Sequence, residues 1–169
     1  MKFWGREKAA VMRRKRLSLK RRRVAAFVRS AEFCEHLLKP RPAKAPGKAE
    51  NQKEARAKYV ALAILEDDLL RTLGAKSRVL RLTDRVADKM WRKHGPGMRY
   101  RRSTERREKN VPPEWYADIP KILREVKPYK NHYGRWQFDH AGLKRRLVLD
   151  LDERKNPVMI TYYGEKNLK

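Results

Sequence analysis

Two basic stretches with few large apolar side chains divide this chain and limit where a core can form. Residues 39–54 contain three prolines, one glycine and no large apolar residue. Residues 95–113 are rich in arginine and begin with a Gly-Pro-Gly sequence of the kind that ends helices. We expect these stretches to be a linker and a basic loop. The apolar core must therefore come from residues 24–38, 55–94 and 114–169.

The first apolar segment, residues 24–38, is expected to form a helix. Val24, Phe27 and Val28 begin an apolar series that recurs every three or four positions. Pro40 follows closely and should end the helix, because proline lacks the backbone donor that a helix interior requires. The arginine-rich run before residue 24 contains no helix breaker, so the pattern allows an earlier start.

The central segment, residues 55–94, predicts an antiparallel pair of helices. The first would cover residues 55–73, where leucines recur at helical spacing, and Gly74 is a natural C-terminal cap. The second would cover residues 77–93 and end at the Gly-Pro-Gly sequence. Each helix needs a partner for its apolar face. The expected shared core consists of Leu62, Leu65, Leu69, Val79, Leu82 and Val86.

The last segment, residues 114–169, has the mixed pattern of a small α+β unit. A short helix is expected at 114–126 and a strand at 132–138. Leucines recur at every second position after Arg146, which would place them on one face of a strand, and a second run of β-forming residues follows a turn. This pattern predicts a β-hairpin over 146–163. We therefore predict an α+β fold, with an N-terminal helix and helical hairpin followed by a small antiparallel β-hairpin, and with long basic extensions.

The charge balance indicates a polyanionic partner. Lysine and arginine total 45 against 20 acidic residues, a formal net charge of +25. A compact domain with that imbalance repels itself. Nucleic acid is the favoured partner, because each neutralised phosphate releases condensed counterions. No apolar run is long enough to span a bilayer, so we expect no membrane insertion. With one cysteine, Cys34, an internal disulfide is excluded.

The basic tail, residues 1–23, is the main candidate for RNA contact, with eleven basic side chains and one acid. Arginine forks match phosphate oxygens and stack on bases. The alternative is a solvated tail or a mitochondrial targeting sequence, which has a similar composition. Tyr100 among arginines gives a second candidate in the basic loop. The candidate RNA-binding residues are Lys2, Arg6, Lys8, Arg13, Arg14, Lys15, Arg16, Lys20, Arg21, Arg22, Arg23, Arg99, Tyr100, Arg101, Arg102, Arg106, Arg107, Lys130, Arg135, Lys144, Arg145 and Arg146.

Two of these groups have an equally simple structural explanation. The aromatic residues around Lys130 and Arg135 could belong to the core rather than to a base-stacking surface. The cations Lys144, Arg145 and Arg146 could protect a strand edge from unwanted pairing instead of binding a backbone.

Catalytic and metal-binding patterns are weak. Cys34 and His36 would point to different faces of a helix, and no other cysteine can complete a closed zinc site. His132, Asp139 and His140 could serve acid–base chemistry on RNA, but neighbouring residues of a strand point to opposite faces. No glycine-rich phosphate loop is present. We expect no enzyme activity, no catalytic residue, no metal, no cofactor and no small-molecule substrate.

In its overall organisation the chain resembles the supernumerary proteins of mitochondrial ribosomes. The features that carry the resemblance are the 1–23 tail, the 39–54 linker and the basic loop within 98–113. The resemblance implies a structural constituent of the ribosome that binds ribosomal RNA and neighbouring ribosomal proteins in the mitochondrial matrix. The alternatives are a nuclear or nucleolar ribosome-assembly or chromatin-associated protein and, third, a small RNA-processing enzyme.

Overall fold

The computed structural model describes residues 3–38, 59–94, 111–165 and 168. The predicted linker and nearly all of the predicted basic loop lie outside these residues. Five α-helices are described: α1 (Phe3–Val28), α2 (Ala31–Leu38), α3 (Asp67–Leu73), α4 (Asp84–His94) and α5 (Ile119–Glu125). A 3-10 helix at Pro113–Asp118 leads directly into α5. The strands are β1 (Tyr59–Ile64), β2 (Val79–Thr83), β3 (Tyr129–Lys130), β4 (Trp136–His140), β5 (Arg145–Leu151) and β6 (Pro157–Gly164).

The six strands form one mixed sheet in the order β1-β2-β6-β5-β4-β3. Every neighbouring pair is antiparallel except β2 and β6, which run parallel. The N-terminal helix and this sheet confirm the predicted α+β class. The predicted C-terminal hairpin is confirmed as β5 and β6, in which Leu147 and Leu149 are buried on one face.

The predicted helical hairpin at 55–94 is wrong, because a strand occupies part of each predicted helix. Tyr59–Ile64 is a nearly continuous apolar run, and a short buried strand cannot be distinguished from a helix by periodicity alone. Leu80 and Leu82 are fully buried while Arg81 between them is not, which is the alternation of a strand. Only α3 and α4 remain helical. Gly74 does end α3, in the left-handed conformation with φ +67°.

The predicted core residues are partly confirmed despite this change of architecture. Leu62, Leu65, Leu69 and Leu82 are buried. Val79 and Val86 are only partly buried. Apolar spacing therefore identified most of the core residues but assigned them to the wrong secondary structure.

The predicted helix at 24–38 is interrupted at Ser30. The Ser30 hydroxyl donates to the carbonyl of Phe27 at 2.7 Å and accepts from the backbone N–H of Phe33 at 3.2 Å. It therefore ends α1 and caps the first turn of α2, a common role for serine. The earlier start that the sequence allowed is present, since α1 extends back to Phe3.

Aromatic side chains join the helices to the sheet. Phe27 of α1 meets Phe33 of α2 edge to face, with ring centroids 5.6 Å apart. Phe33 meets Tyr116 at 5.5 Å, and Tyr116 meets Tyr162 of β6 at 5.4 Å, again edge to face. The Tyr162 hydroxyl donates to the carbonyl of Trp115 at 2.9 Å. Burial raises the pKa of both Tyr116 and Tyr162, so these phenols stay neutral in the core.

The other C-terminal expectations hold with shifted boundaries. Helix α5 lies within the helix predicted at 114–126, and Ile119, Ile122 and Leu123 form its buried side. The strand predicted at 132–138 begins only at Trp136, because Asn131 organises a turn before it through bonds from its side-chain oxygen to two backbone N–H groups. Among the helices described, none is both long and apolar enough to cross a membrane.

We predict that Leu65→Ala destabilises the protein by about 2–5 kcal/mol, because Leu65 is 1% exposed and its truncation leaves a cavity. Urea unfolding followed by circular dichroism measures this change. Leu19→Ala is the matched control, since Leu19 is 55% exposed and its loss should change the free energy of unfolding by less than about 0.5 kcal/mol. Equal effects of the two substitutions would contradict the assigned core.

Candidate nucleic-acid interface

Helix α1 has two parts with different surroundings. Its second half packs on β1 and on the 3-10 helix. Among the residues that turn toward the body, Leu17, Arg21, Val24 and Val28 follow one another at spacings of four, three and four, which places these four on one stripe of the helix. Every residue from 7 to 16 is exposed. The side chains of residues 7–16 therefore lie in solvent.

The cations of α1 surround the helix rather than forming one stripe. The segment Phe3–Val28 contains ten basic residues and one acid, Glu7. Successive residues are rotated by about 100°, so the run from Arg13 to Arg16 alone covers most of the circumference. Cations at neighbouring positions repel each other, and cations near a helix N-terminus are also unfavourable for the helix dipole. A polyanion bound along α1 would offset both effects.

The structure thus brings together most of the sequence-predicted tail residues on one element. Arg6 lies in the first turns of α1, and Arg21 is half-buried beside Glu66, with Nη2 and Oε1 3.9 Å apart. Lys2, and the loop candidates Arg99, Tyr100, Arg101, Arg102, Arg106 and Arg107, lie outside the described residues. The exposed cations of α1 are Lys8, Arg13, Arg14, Lys15, Arg16, Lys20, Arg22 and Arg23.

The predicted cations around β4 contact their own protein. The Lys130 ammonium donates to the Gly134 carbonyl at 2.8 Å and lies 4.2 Å from the Trp136 ring centroid. The Arg135 guanidinium donates to Asp150 at 3.2 Å. These contacts favour a structural role, the simpler of the two explanations that the sequence left open.

The predicted cations at the start of β5 are similarly engaged, with one exception. The Arg145 guanidinium carbon lies 3.1 Å from the ring centroid of Trp115. Arg146 forms a paired contact with Asp139, at 2.6 Å from Nε and 2.7 Å from Nη2. Lys144 is exposed in the preceding turn, with φ +51°. Of this group, Lys144 is the best placed for an external ligand.

The Asp139–Arg146 pair lies at the centre of a hydrogen-bonded network on the sheet. The Tyr129 hydroxyl donates to Asp139 at 2.7 Å, and the Gln137 amide donates to the same carboxylate. Burial alone would raise the pKa of Asp139, but the hydrogen bonds from Arg146, Tyr129 and Gln137 outweigh it and lower the pKa overall. The bonds to Asp139 raise the pKa of Arg146. The pair links β4 to β5 at a register position where these two residues face each other.

Of the histidine candidates, His140 is held in place by two neighbouring residues. His140 Nε2 lies 3.0 Å from a carboxylate oxygen of Glu125, and His140 Nδ1 accepts the backbone N–H of Leu143 at 3.1 Å. Both ring nitrogens are therefore engaged. Asp139 contacts Arg146, so the two neighbouring residues contact different partners, as expected on a strand. No group of three or more histidine, cysteine or acidic side chains in the described residues could hold a metal ion.

Sequence reasoning missed a cleft beside the docked half of α1. It has a volume of about 220 Å³ and lies between α1, β1, α3 and α5. Arg124 of α5 and Glu66 line it together with Arg21 and Arg22 of α1. The exposure of Arg124 follows from its position after Ile122 and Leu123 in an amphipathic helix. Its approach to α1 depends on tertiary packing, which no local pattern reveals.

Comparisons of this chain with protein-family models, with curated proteins and with solved structures gave no match.

We predict that Asp139→Asn lowers the free energy of unfolding at pH 7 by about 1–3 kcal/mol, because it removes an ionised partner from the half-buried Arg146. The folded-state pKa of Asp139 lies below its unfolded value of about 3.9, so its contribution is present above that pH and is lost as the pH falls through the folded-state pKa. The difference between wild type and variant should therefore shrink in acid.

Urea unfolding between pH 7 and pH 2 measures this dependence. Asp150→Asn is the control, because its pair with Arg135 is more exposed and should contribute at most about 1 kcal/mol. A difference for Asp139→Asn that stays constant down to pH 2 would show that the carboxylate charge is not what stabilises the sheet.

Proposed function

We propose that this protein binds RNA through α1 and serves as a structural constituent of a ribosome, of the kind found in mitochondria. The observation that carries the proposal is the first half of α1, in which every residue from 7 to 16 is exposed while five of the ten are basic. An apolar docking surface cannot explain a segment with so many cations on all sides. A surrounding polyanion can.

The helix suits contact with phosphates from several directions at once. Its 26 residues span about 39 Å at a rise of 1.5 Å per residue. Arginine binds phosphate oxygens through two parallel hydrogen bonds, and lysine binds them as a point charge. Since cations occur around the whole circumference, α1 can contact RNA strands on more than one side. Such contacts position a protein on RNA without reading a sequence.

The body of the protein fixes the direction of this helix. Val24 and Phe27 pack against the buried core, and Val28 belongs to it. Because α1 is a continuous helix from Phe3 to Val28, an anchor at its C-terminal end orients the exposed cations at the other end. In this proposal the sheet and its helices dock on neighbouring ribosomal proteins.

The proposed role requires no chemistry. Cation–phosphate contacts neutralise charge where RNA segments pack together, and no bond is made or broken. The assignment to the mitochondrial ribosome rests on the resemblance of the tail, linker and basic loop. Cell fractionation would distinguish this mitochondrial location from a nuclear or nucleolar one.

We predict that the double substitution Arg13→Ala with Arg14→Ala weakens RNA binding and reduces its salt dependence. Each lost phosphate contact should lower the slope of log K against log salt by about one. The matched control removes two exposed arginines elsewhere, Arg85 and Arg154. It should leave the slope unchanged in fluorescence-anisotropy titrations with an RNA hairpin. Equal losses in both variants would mean that α1 is not the contact surface.

We also predict that the tagged protein sediments with a ribosomal subunit from the mitochondrial fraction. Sequencing of the co-migrating RNA should recover mature ribosomal RNA from that compartment, and the association should weaken as salt rises. Recovery of precursor ribosomal RNA from the nucleolar fraction would favour an assembly factor. Sedimentation as a protein without RNA at physiological salt would contradict the proposal.

A further inference from the structure

The cleft beside α1 combines an apolar interior with a charged rim. Its interior is formed by side chains of β1, the start of α3 and α5, and its rim by charged residues of α1, α5 and the β1–α3 connection. The interior residues include Ala63, Ile64, Leu65, Leu69 and Leu123, and the rim consists of Arg21, Arg22, Arg124 and Glu66. Three arginines around an apolar cavity favour a ligand that is apolar at its centre and anionic at its edges.

The size of the cleft limits that ligand to one ring system. A volume of about 220 Å³ is below the roughly 300 Å³ at which pockets for drug-sized molecules begin. A nucleobase is flat and largely apolar on its faces, and its backbone carries phosphates on both sides. Unstacked bases in RNA loops and bulges are commonly held by apolar or aromatic surfaces and by guanidinium planes.

We propose that this cleft receives a single unpaired base of the RNA that α1 binds, with Arg22 and Arg124 on the flanking phosphates. This inference rests on the proposed function, because α1 supplies the affinity that brings the RNA to the cleft. Arg22 is exposed on the docked half of α1, and Arg124 is exposed on α5. The two arginines therefore line the cleft from two different helices.

Glu66 gives the cleft a preference among bases. It stands at the N-terminal cap position of α3, yet its carboxylate makes no capping hydrogen bond. The carboxylate lies on the rim, 3.9 Å from Arg21, where it can accept a hydrogen bond from a ligand. Carboxylates accept from the amino group of cytosine, whereas uracil presents a carbonyl oxygen at that position, which would face the carboxylate with a lone pair. The cleft should therefore favour cytosine over uracil.

The experiment uses the full chain and three RNA hairpins that differ at one bulged position, which is a cytidine, a uridine or an abasic site. Wild-type protein should bind the cytidine bulge about tenfold more tightly than the uridine bulge or the abasic site. Glu66→Gln should remove the difference between cytidine and uridine, because an amide can pair with either base. Equal wild-type affinities for the cytidine bulge and the abasic site would overturn the inference.

A second pair of variants tests whether the cleft itself is occupied. Ala25 lines the cleft, and Ala25→Trp should fill it and lower the affinity for the cytidine bulge to that for the abasic site. Ala26 is exposed and does not line the cleft, so Ala26→Trp should preserve the preference. A preference that survives in Ala25→Trp, with its thermal unfolding unchanged, would place the base elsewhere.

The two proposals fail in distinguishable ways. If the protein binds all three hairpins equally but with a steep salt dependence that Arg13→Ala and Arg14→Ala reduce, RNA binding by α1 stands and the base-binding cleft is rejected. If none of the hairpins binds at physiological salt, the proposed function itself is rejected, and the inference with it.

Discussion

The edge-to-face contacts that run from Phe27 through Phe33 and Tyr116 to Tyr162 are the interaction on which the rest of the structure depends. They connect α1, α2 and the 3-10 helix with β6, which lies inside the sheet between β2 and β5. Aromatic pairs at this spacing contribute more than their buried area alone. Because α1 is so basic, it has little apolar surface that can pack against the rest of the protein. Its direction is therefore set by Phe27 and its neighbours near its C-terminal end.

The charged side chains of the sheet and those of α1 have different surroundings. In the sheet, cations stand next to acids or aromatic rings, as Arg146 does with Asp139 and Arg135 with Asp150. On α1 a single acid accompanies ten cations, and most of them face solvent. Charge pairing within the sheet stabilises the fold, whereas the concentration of cations on α1 opposes it through self-repulsion. Within the described residues, the excess of cations is therefore concentrated on α1.

The local parts of the fold could be predicted from the sequence, whereas the parts that depend on non-local pairing could not. The β5–β6 hairpin was predictable because alternation, turn and strand lie within one continuous stretch. β1 was mistaken for a helix because Leu62, Leu65 and Leu69 keep helical spacing across a strand, a connection and α3. What makes Tyr59–Ile64 a strand is its pairing with β2, and β2 in turn pairs with the distant β6. Such long-range pairing is invisible to a local window.

The same reasoning separates the site residues that could be predicted from those that could not. The tail cations were identified by composition, since a run like Arg13 to Arg16 has no local acid to neutralise it. For Arg146 the sequence left both RNA binding and a structural role open. Its partner Asp139 is seven residues away and meets it only through the register of β4 with β5. The cleft required tertiary structure altogether, because Arg22, Glu66 and Arg124 come from three separate segments.

Because α1 is continuous, its docked half and its exposed half are rigidly connected. If a break separated the docked half from the exposed half, the cations of residues 7–16 could adopt many directions, and binding would carry the entropic cost of fixing them. Because α1 is one helix from Phe3 to Val28, the cations lose most of their conformational freedom when the helix forms. The packing of Val24 and Val28 on the body then fixes the helix axis. In the proposed function, RNA bound along the first half would neutralise the repulsion that opposes helix formation. Helix formation and RNA binding would then be coupled, and each would stabilise the other.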